Sequence, residues 1–167
     1  RLVSRGLGDV YKRQTLFNSV KDKCSKIHKD LPKLIEENLG DVEKNWPVNL
    51  PRGIIHADLF HDNIFFIKDK FSGIIDFYFS CEDFLAFEIA ICFNALCFDG
   101  LKENLSFNVT KAKNFIDGYT SVRKLSDEEK NNIKVLSQGA ALRFLLTRVF
   151  DAINKVEGAI VKIKDPV

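Results

Sequence analysis

The chain has 167 residues, of which 46% are hydrophobic and 29% charged, and its formal net charge is +2. This is enough length for one domain with a buried core, and the composition is that of an ordinary globular protein. The small net charge and the scattered lysines do not indicate a nucleic-acid or membrane partner. The longest apolar segment, Phe84 to Phe98, contains Glu88 and is too short to span a bilayer.

The four cysteines do not form a recognisable metal or disulfide pattern. They are Cys24, Cys81, Cys92 and Cys97, and no Cys-x-x-Cys spacing occurs among them. A zinc site or a disulfide framework needs a spacing that this chain lacks. We therefore expect buried, reduced thiols and a cytoplasmic location.

Two helices are predicted ahead of the central part of the chain. Residues 1–14 have no clear apolar period and are interpreted as a non-native leader. From Thr15 onwards apolar residues recur at helical spacing, at Val20, Cys24, Ile27 and Leu31. Pro32 can open a second helix, which we expect from Leu34 to about Trp46. Its inward-facing residues are predicted to be Leu34, Ile35, Leu39 and Val42.

The stretch from Gly53 to Phe79 alternates apolar runs with polar loops. A short apolar strand leads into the polar loop HADLFHDN. Two β-prone runs follow, Ile64–Ile67 and Phe71–Ile75, and a turn at Lys68-Asp69-Lys70 joins them. The pattern therefore predicts a β-hairpin with a polar segment at each end.

The polar residues at the two ends of this hairpin suit phosphoryl transfer. A hairpin of this size returns its end beside its start, so we expect Asp76 near Asn63, and both near Asp58. Phosphoryl transfer needs a carboxylate that orients and deprotonates the attacking hydroxyl, and oxygen ligands that hold Mg²⁺ against nucleotide phosphates. Mg²⁺ typically takes one or two carboxylates, phosphate oxygens and water. We predict Asp58 as the base and Asn63 with Asp76 as the metal ligands.

Three more helices are predicted after the hairpin. The first is apolar on all sides and is expected from about Asp83, at or near its N-cap. Phe107 to Val122 gives the next, and its inward residues are predicted to be Phe115, Ile116 and Tyr119. Ser126-Asp127-Glu128-Glu129 has the pattern of a capping box and opens the longest helix, to about Asn154. With about five helices and one hairpin, the predicted fold is α+β and mainly helical.

Three blocks of the chain resemble a known family. HADLFHDN followed by IDF resembles the catalytic loop and metal-binding motif of the protein-kinase-like superfamily, in its small-molecule branch with aminoglycoside and choline kinases. PRGIIHADLFHDNIFF, SGIIDFYFSCEDFLAFEIAICFNALCF and LSQGAALRFLLTRVFDAINK…GAIVKIKDP occur in order between Pro51 and Pro166. Together these blocks resemble the homoserine kinases of that superfamily.

The resemblance implies the C-terminal lobe of the protein-kinase-like fold. Residues 15–167 would form this lobe, truncated at both ends, and residues 1–14 match nothing in the family. No Gly-rich loop and no strand-borne lysine precede the predicted helices. We therefore expect a fragment that lacks its N-lobe and is inactive alone.

The resemblance also implies a reaction. ATP would phosphorylate the side-chain hydroxyl of L-homoserine, with Mg²⁺ as cofactor, in threonine biosynthesis. One alternative is another small-molecule kinase of the aminoglycoside or choline kinase type, which Tyr78, Phe79 and Glu82 do not exclude. The other is a non-catalytic kinase-like binding domain or an inactive fragment, and the presence of Asp58, Asn63 and Asp76 together argues against the binding domain.

Two residues are expected to support the catalytic loop. His56 can hydrogen-bond backbone and hold the loop in shape, as the matching position does in the superfamily. Glu88 lies alone in an apolar helix, where the family usually has Asp, and an unpaired buried charge there would be costly. We expect it to tie that helix to the loop. His61 lies where the family tends to have Pro, and this difference is expected to loosen the loop.

Four residues are candidates for substrate contacts. Arg143 lies within AALRFLL, where it could pair with a buried carboxylate or bind the substrate carboxylate through its planar fork. Glu82 and Asp83 follow the metal motif, where they could receive the substrate ammonium, and helix capping is the alternative for Asp83. Tyr78 lies in the same segment.

Overall fold

The computed structural model describes residues 10–101 and 104–154. Within these ranges the helices are α1 (Val10–Cys24), α2 (Leu31–Asn45), α3 (Leu85–Leu96), α4 (Val109–Val122) and α5 (Asp127–Ile153). The strands are β1 (Arg52–Ile55), β2 (Ile64–Ile67), β3 (Lys70–Ile74), β4 (Cys81–Phe84), β5 (Phe98–Asp99) and β6 (Ser106–Phe107). Single 3₁₀ turns cover His61–Asn63 and Phe77–Phe79. The α+β, mainly helical fold that the sequence predicts is confirmed.

The chain divides into two compact units. Of the described residues, the first comprises 47–101 and 104–137, and the second comprises 10–46 and 138–154. The described part of the first unit contains all six strands, α3, α4 and the first part of α5. The second unit contains α1, α2 and the rest of α5. None of the helices in the described ranges is long and apolar enough to cross a membrane.

The predicted hairpin is the antiparallel pair β2–β3. Ile64 lies opposite Ile74 and Ile67 lies opposite Lys70, with a register shift between Phe65 and Phe66. The two turn residues that the sequence indicated, Lys68 and Asp69, have φ of 48° and 61°. Positive φ at both central residues is typical of the type I′ turn, whose twist matches that of the strands it joins. The prediction of a hairpin with its turn at this position is confirmed.

The prediction of a single hairpin is incomplete, because two further strand pairs occur. β1 pairs antiparallel with β4, from Ile55 opposite Cys81 to Arg52 opposite Phe84, and β5 pairs with β6. The pairing with β1 keeps Asp83 extended, so α3 begins two residues later than predicted. Its N-cap is Phe84, which makes no side-chain capping bond, so Asp83 lies one residue before the cap, near the N-cap as predicted.

β1 and the start of α3 approach each other closely. The Leu85 N–H donates to the Pro51 carbonyl over 2.9 Å. A Cβ on Gly53 would lie 2.8 Å from Cδ2 of Leu85, so a larger residue there would require the Leu85 side chain to shift. This contact places the first turn of α3 directly beside the strand that leads into the catalytic loop.

α3 forms the centre of the first unit. Its buried residues occur on every side of the helix, as the sequence predicts: Ala86, Phe87, Ile89, Ala90, Ile91 and Cys92. The side-chain amide of Asn94 donates to the Ser137 carbonyl over 2.8 Å, which ties α3 to the first part of α5. The residues that α3 presents to the catalytic loop are therefore held on a fully packed helix.

Side-chain caps determine where α4 and α5 begin. The side-chain oxygen of Asn108 accepts a hydrogen bond from the Lys111 N–H over 2.9 Å. Asn108 is therefore the N-cap, and α4 begins at Val109 rather than at Phe107. The predicted capping box of α5 is confirmed: the Glu129 N–H donates to Ser126 Oγ over 3.1 Å, and the Ser126 N–H donates to Glu129 Oε2 over 2.9 Å.

Glu129 also takes part in a buried ion pair. It is only 1% exposed, and its Oε1 accepts from a guanidinium nitrogen of Arg123 over 2.8 Å. Arg123 in turn donates to the Tyr119 hydroxyl over 3.2 Å. The Glu129 carboxylate therefore caps α5 and also binds Arg123 at the end of α4, which links the two helices.

In the second unit the two predicted helices are present, with shifted boundaries. α1 ends at Cys24. Beyond it the chain forms turn hydrogen bonds between residues three apart, for example from the Ile27 N–H to the Cys24 carbonyl over 3.0 Å. α2 begins at Leu31 because Pro32 is tolerated in a first helical turn. The inward positions of α2 are confirmed for Ile35, Leu39 and Val42, whereas Leu34 is 51% exposed.

Part of the expected leader belongs to the fold of the second unit. α1 begins at Val10, and Arg13 is 3% exposed, with its guanidinium 4.2 Å from the ring centroid of Trp46. It donates to the Gly139 carbonyl over 3.3 Å. Residues 1–9 and residues 155–167, which include the end of the final block that resembles the family, lie outside the described residues. A non-native origin of residues 1–14 stays a prediction.

The cysteines are buried thiols, as predicted for Cys24, Cys81, Cys92 and Cys97. Burial raises the pKa of the Cys92 thiol far above its usual value, and the nearby charge of Glu88 adds to the increase. Because the thiolate is the reactive form, Cys92 is chemically inert in this setting.

The role of Glu129 can be tested by substitution. Glu129→Ala removes the acceptor of both Arg123 and the Ser126 N–H, and we expect the free energy of unfolding to fall by about 3 kcal/mol in urea denaturation. Glu128→Ala, exposed in the same turn, is the matched control and should change it by less than about 0.5 kcal/mol. Equal losses in the two variants would contradict the buried-pair account.

Candidate active site

The loop after β1 is linked to the end of β3 through one histidine ring. His56 is 8% exposed. Its Nδ1 accepts from the Asp58 N–H over 3.3 Å, and its Nε2 donates to the Ile75 carbonyl over 2.8 Å. Ile75 directly precedes Asp76 in the chain. The ring therefore connects the backbone of the predicted base to the residue before a predicted metal ligand.

Ala57, between His56 and Asp58, has a left-handed backbone with φ of 65°. This conformation is uncommon for residues other than glycine, and it costs free energy that the surrounding structure must supply. The buried Ala57 N–H donates to Glu88 Oε2 over 2.9 Å. A carboxylate in the first turn of α3 thus stabilises the turn that presents Asp58.

Asn63 closes the loop from its other end. This residue is 8% exposed, and its side-chain amide nitrogen donates to the Asp58 carbonyl over 2.8 Å. The same carbonyl accepts from the Phe60 N–H over 3.0 Å. The Asn63 carbonyl accepts from the Ile75 N–H over 3.1 Å. The expected proximity of Asp58, Asn63 and the chain entering Asp76 is therefore observed.

Asp76 follows β3 in a left-handed conformation, with φ of 62° and ψ of 57°. Asp76 is exposed, and the 3₁₀ turn Phe77–Phe79 comes directly after it. The Phe77 ring packs against the His56 ring, with centroids 4.8 Å apart and planes at 59°. Strained backbone conformations of non-glycine residues cluster at functional sites, and they also occur in turns such as the one at Lys68 and Asp69.

The donor set of the loop fits Mg²⁺. In the parts of the chain that the structure describes, no group of three or more His, Cys, Asp or Glu could hold a metal. A magnesium site does not need such a group, because water and phosphate complete its octahedron. The amide nitrogen of Asn63 is used by the Asp58 carbonyl, which leaves Asn63 Oδ1 as its acceptor atom. The exposed carboxylate of Asp76 offers a second oxygen of the kind that Mg²⁺ binds.

The predicted substrate contacts in the first unit differ in exposure. Tyr78 is 74% exposed, and its ring meets that of Phe79 edge-on, with centroids 5.2 Å apart. Glu82 is exposed, and its Oε1 lies 3.9 Å from Arg52 Nε. Asp83 is 3% exposed, and its Oδ1 accepts from the Phe84 N–H over 2.8 Å. Exposure therefore favours Tyr78 and Glu82 over Asp83 as groups that meet a ligand.

Arg143 belongs to the second unit, in the later part of α5. It is 9% exposed, and its guanidinium lies 4.6 Å from the centroid of the Phe144 ring. This arginine is therefore a buried, aromatic-stacked cation, and its contact with the substrate stays a prediction.

Three residues that hold the site together were not singled out by the sequence analysis. They are Ala57, with its left-handed turn, Ile75, with its carbonyl, and Phe77, with its ring against His56. A small residue between His56 and Asp58 was the available signal for the first. The second acts through its backbone, which no side-chain pattern reveals.

Comparison with known proteins identifies the class. Residues 11–125 match the Phosphotransferase enzyme family, and because the match covers most of the chain, the chain belongs to this family. The family implies the protein-kinase-like fold that the loop and hairpin suggested.

The similar curated proteins have one name in common. The chain is 47% identical to a homoserine kinase of Mesorhizobium japonicum and 49% identical to one of Rhodospirillum rubrum, in each case over 151 residues. It is 50% identical to a homoserine kinase of Rhodopseudomonas palustris over 151 residues. These matches cover 90% of this chain, but only 46%, 46% and 45% of the three relatives. The chain thus spans about half the length of these relatives.

The support that Glu88 gives to Ala57 leads to a stability prediction. Glu88→Ala leaves the buried Ala57 N–H without its carboxylate acceptor, so we expect the free energy of unfolding to fall by about 1–3 kcal/mol. Glu82→Ala, exposed in β4, is the matched control, with a change below about 0.5 kcal/mol. Adding Ala57→Gly to Glu88→Ala should recover part of the loss, because glycine adopts positive φ without strain. Equal effects of the two glutamate variants would refute the proposed support.

Proposed function

We propose that the full-length protein is a homoserine kinase, which transfers the γ-phosphate of ATP to the side-chain hydroxyl of L-homoserine in threonine biosynthesis. The observation that carries this proposal is the assembly of Asp58, Asn63 and the chain entering Asp76 around one hydrogen-bonded loop, in a chain of the phosphotransferase family. The names of its relatives supply the substrate. Residues 15–167 would be the C-terminal lobe of the enzyme.

Asp58 is the proposed base. Phosphoryl transfer depends mainly on positioning and on charge stabilisation, so the backbone that carries the base must be fixed. The Asp58 N–H is bound by His56, and its carbonyl is bound by Asn63 and by the Phe60 N–H. With the backbone held on both sides, the carboxylate can orient the substrate hydroxyl and accept its proton as the phosphate is transferred.

Asn63 Oδ1 and the Asp76 carboxylate are the proposed Mg²⁺ ligands. These two residues would hold the ion, and its positive charge would offset that of the ATP phosphates. The protein holds both ligands by backbone contacts: Asn63 accepts from the Ile75 N–H, and the following residue is Asp76. The hairpin β2–β3 therefore fixes the separation of the two ligands.

The carboxylate and the ammonium group of homoserine are proposed to bind charged side chains. Arg143 would bind the homoserine carboxylate through its planar guanidinium. Glu82 or Asp83 would receive the ammonium group beside Tyr78, and the greater exposure of Glu82 favours it. Such contacts discriminate strongly, because a substrate that lacks the charged group leaves the protein group desolvated and unpaired.

A second candidate function is favoured by the aromatic turn after Asp76. Phe77, Tyr78 and Phe79 are 60%, 74% and 39% exposed. Aromatic faces bind quaternary ammonium groups, which would suit a choline-type alcohol. Comparing kcat/KM for homoserine and choline decides between the two functions: a higher value for choline would overturn the homoserine assignment.

The chain alone is proposed to be inactive, as expected for one lobe of a two-lobed enzyme. The hairpin leaves Phe65, Phe66, Ile67 and Phe71 between 48% and 66% exposed. Exposed apolar patches of this kind promote association. The same exposed apolar surface of the hairpin would suit a non-catalytic binding role of the isolated chain.

The role of Asp58 is tested by removing its charge in the full-length enzyme. Asp58→Asn keeps the shape of the side chain but cannot accept the proton, so kcat should fall on the order of 10²–10⁴-fold. Affinity for ATP should change little. Asp69→Asn, in the exposed hairpin turn, is the matched control and should retain the parent kcat. Near-normal turnover of Asp58→Asn would remove Asp58 from this role.

The role of Arg143 is tested by the KM values of the two substrates. If Arg143 binds the carboxylate, Arg143→Leu should raise KM for homoserine by about 10²-fold or more and leave KM for ATP nearly unchanged. Arg148→Leu, on another face of α5, is the control. Equal increases in both KM values, together with a lower melting temperature, would show that Arg143 holds the helix in place instead.

A further inference from the structure

The segment that follows β5 contains an Asp-Gly pair that the fold requires. Gly100 has φ of 93°, and a Cβ at this position would collide with the carbonyl oxygen of Asn104, so the position needs glycine. The carboxylate of the preceding Asp99 accepts from the side-chain amide of Asn108 over 2.5 Å and from the ammonium group of Lys111. The fold therefore uses an aspartate followed directly by a glycine.

An aspartate in this position can rearrange its own backbone. The Gly100 nitrogen attacks Cγ of Asp99, and the hydroxyl of the protonated carboxyl group leaves as water with the hydrogen of that nitrogen. Glycine favours this step, because no side chain shields its nitrogen. Water then opens the resulting succinimide ring. Addition at Cγ restores Asp99, whereas addition at the main-chain carbonyl carbon leaves an isoaspartate, whose backbone runs through Cβ and Cγ.

The contacts of Asp99 oppose the first step of this rearrangement. Hydrogen bonds from Asn108 and Lys111 lower the pKa of the Asp99 carboxyl group, so it stays ionised and lacks the hydroxyl that must leave. The same two contacts bind one carboxylate oxygen each and hold the side chain against the first turn of α4. Any rotation of Cγ toward the Gly100 nitrogen has to break them.

We propose that Asp99–Gly100 is a site of isoaspartate formation, which Asn108 and Lys111 protect in the folded protein. Isoaspartate would lengthen the backbone by one carbon at the end of β5, where Asp99 lies opposite Ser106 of β6. It would also move the carboxylate away from the N-cap of α4. This modification does not depend on the proposed function.

A second Asp-Gly pair in the first unit provides an internal control. Asp117 and Gly118 are exposed and lie inside α4. In an α-helix the N–H of an interior residue donates to the carbonyl four residues earlier, so the Gly118 nitrogen is held by the helix itself. Substitutions that release Asp99 should therefore leave the rate at Asp117 unchanged.

The test follows isoaspartate formation in the full-length protein at mildly acidic pH, by mass spectrometry of proteolytic peptides with fragmentation that distinguishes the two isomers. Lys111→Met removes the cation, and Asn108→Ser keeps a capping oxygen for α4 but removes the amide that binds Asp99. Each variant should form isoaspartate at Asp99 at least about threefold faster than the parent, because more of its carboxyl group is protonated. Lys113→Met, exposed on the same helix, should match the parent.

The chain unfolded in urea is the reference, and both Asp-Gly pairs should react there. Equal rates at Asp99 in the folded parent and in the unfolded chain would overturn the proposed protection, and no reaction in the unfolded chain would overturn the site. A variant that merely unfolds accelerates both pairs. The proposal therefore requires the ratio of the Asp99 rate to the Asp117 rate to rise in Lys111→Met and Asn108→Ser, and an unchanged ratio in both overturns it.

Discussion

The left-handed turn at Ala57 is the constraint on which the candidate site depends. A non-glycine residue at φ of 65° places its own N–H toward Glu88 and presents Asp58 beyond the end of β1. The turn costs free energy, and the contacts that offset it come from α3 through Glu88 and from the loop through His56. Hydrogen bonds between backbone groups and the side chains of Glu88, His56 and Asn63 therefore hold the candidate site in place.

The rest of the first unit serves to keep these contacts in place. β1 pairs with β4, and the Leu85 N–H bonds to the Pro51 carbonyl, so that the start of α3 lies beside the strand leading to the loop. Gly53 leaves room for the Leu85 side chain, which would have to shift if a larger residue stood there. α3 is packed on every side, which makes Glu88 a rigid support.

Much of this arrangement could be predicted from the sequence. Alternating apolar runs around Lys68-Asp69-Lys70 were sufficient to predict the hairpin. The hairpin in turn was sufficient to predict that Asp58, Asn63 and the chain entering Asp76 lie close together. The capping box at Ser126 could also be predicted, because its two partners are only three residues apart in the sequence.

Other features depend on contacts between distant residues and could not be predicted. β4 was missed because pairing with β1 overrides the helical appearance of Glu82 and Asp83. Residues 10–14 were assigned to the leader, since the burial of Arg13 against Trp46 arises only in the folded unit. The role of Ile75 lies in its backbone carbonyl, which sequence patterns do not encode.

The central claim is that one loop and one hairpin assemble a base and two metal ligands. A crystal structure of the full-length enzyme with Mg²⁺, a non-hydrolysable ATP analogue and homoserine tests it most directly. The account predicts Mg²⁺ at about 2.1 Å from Asn63 Oδ1 and from an Asp76 carboxylate oxygen. It also predicts the homoserine hydroxyl about 2.6–3.2 Å from the Asp58 carboxylate. A metal bound without Asn63 and Asp76, or a hydroxyl directed away from Asp58, would contradict it.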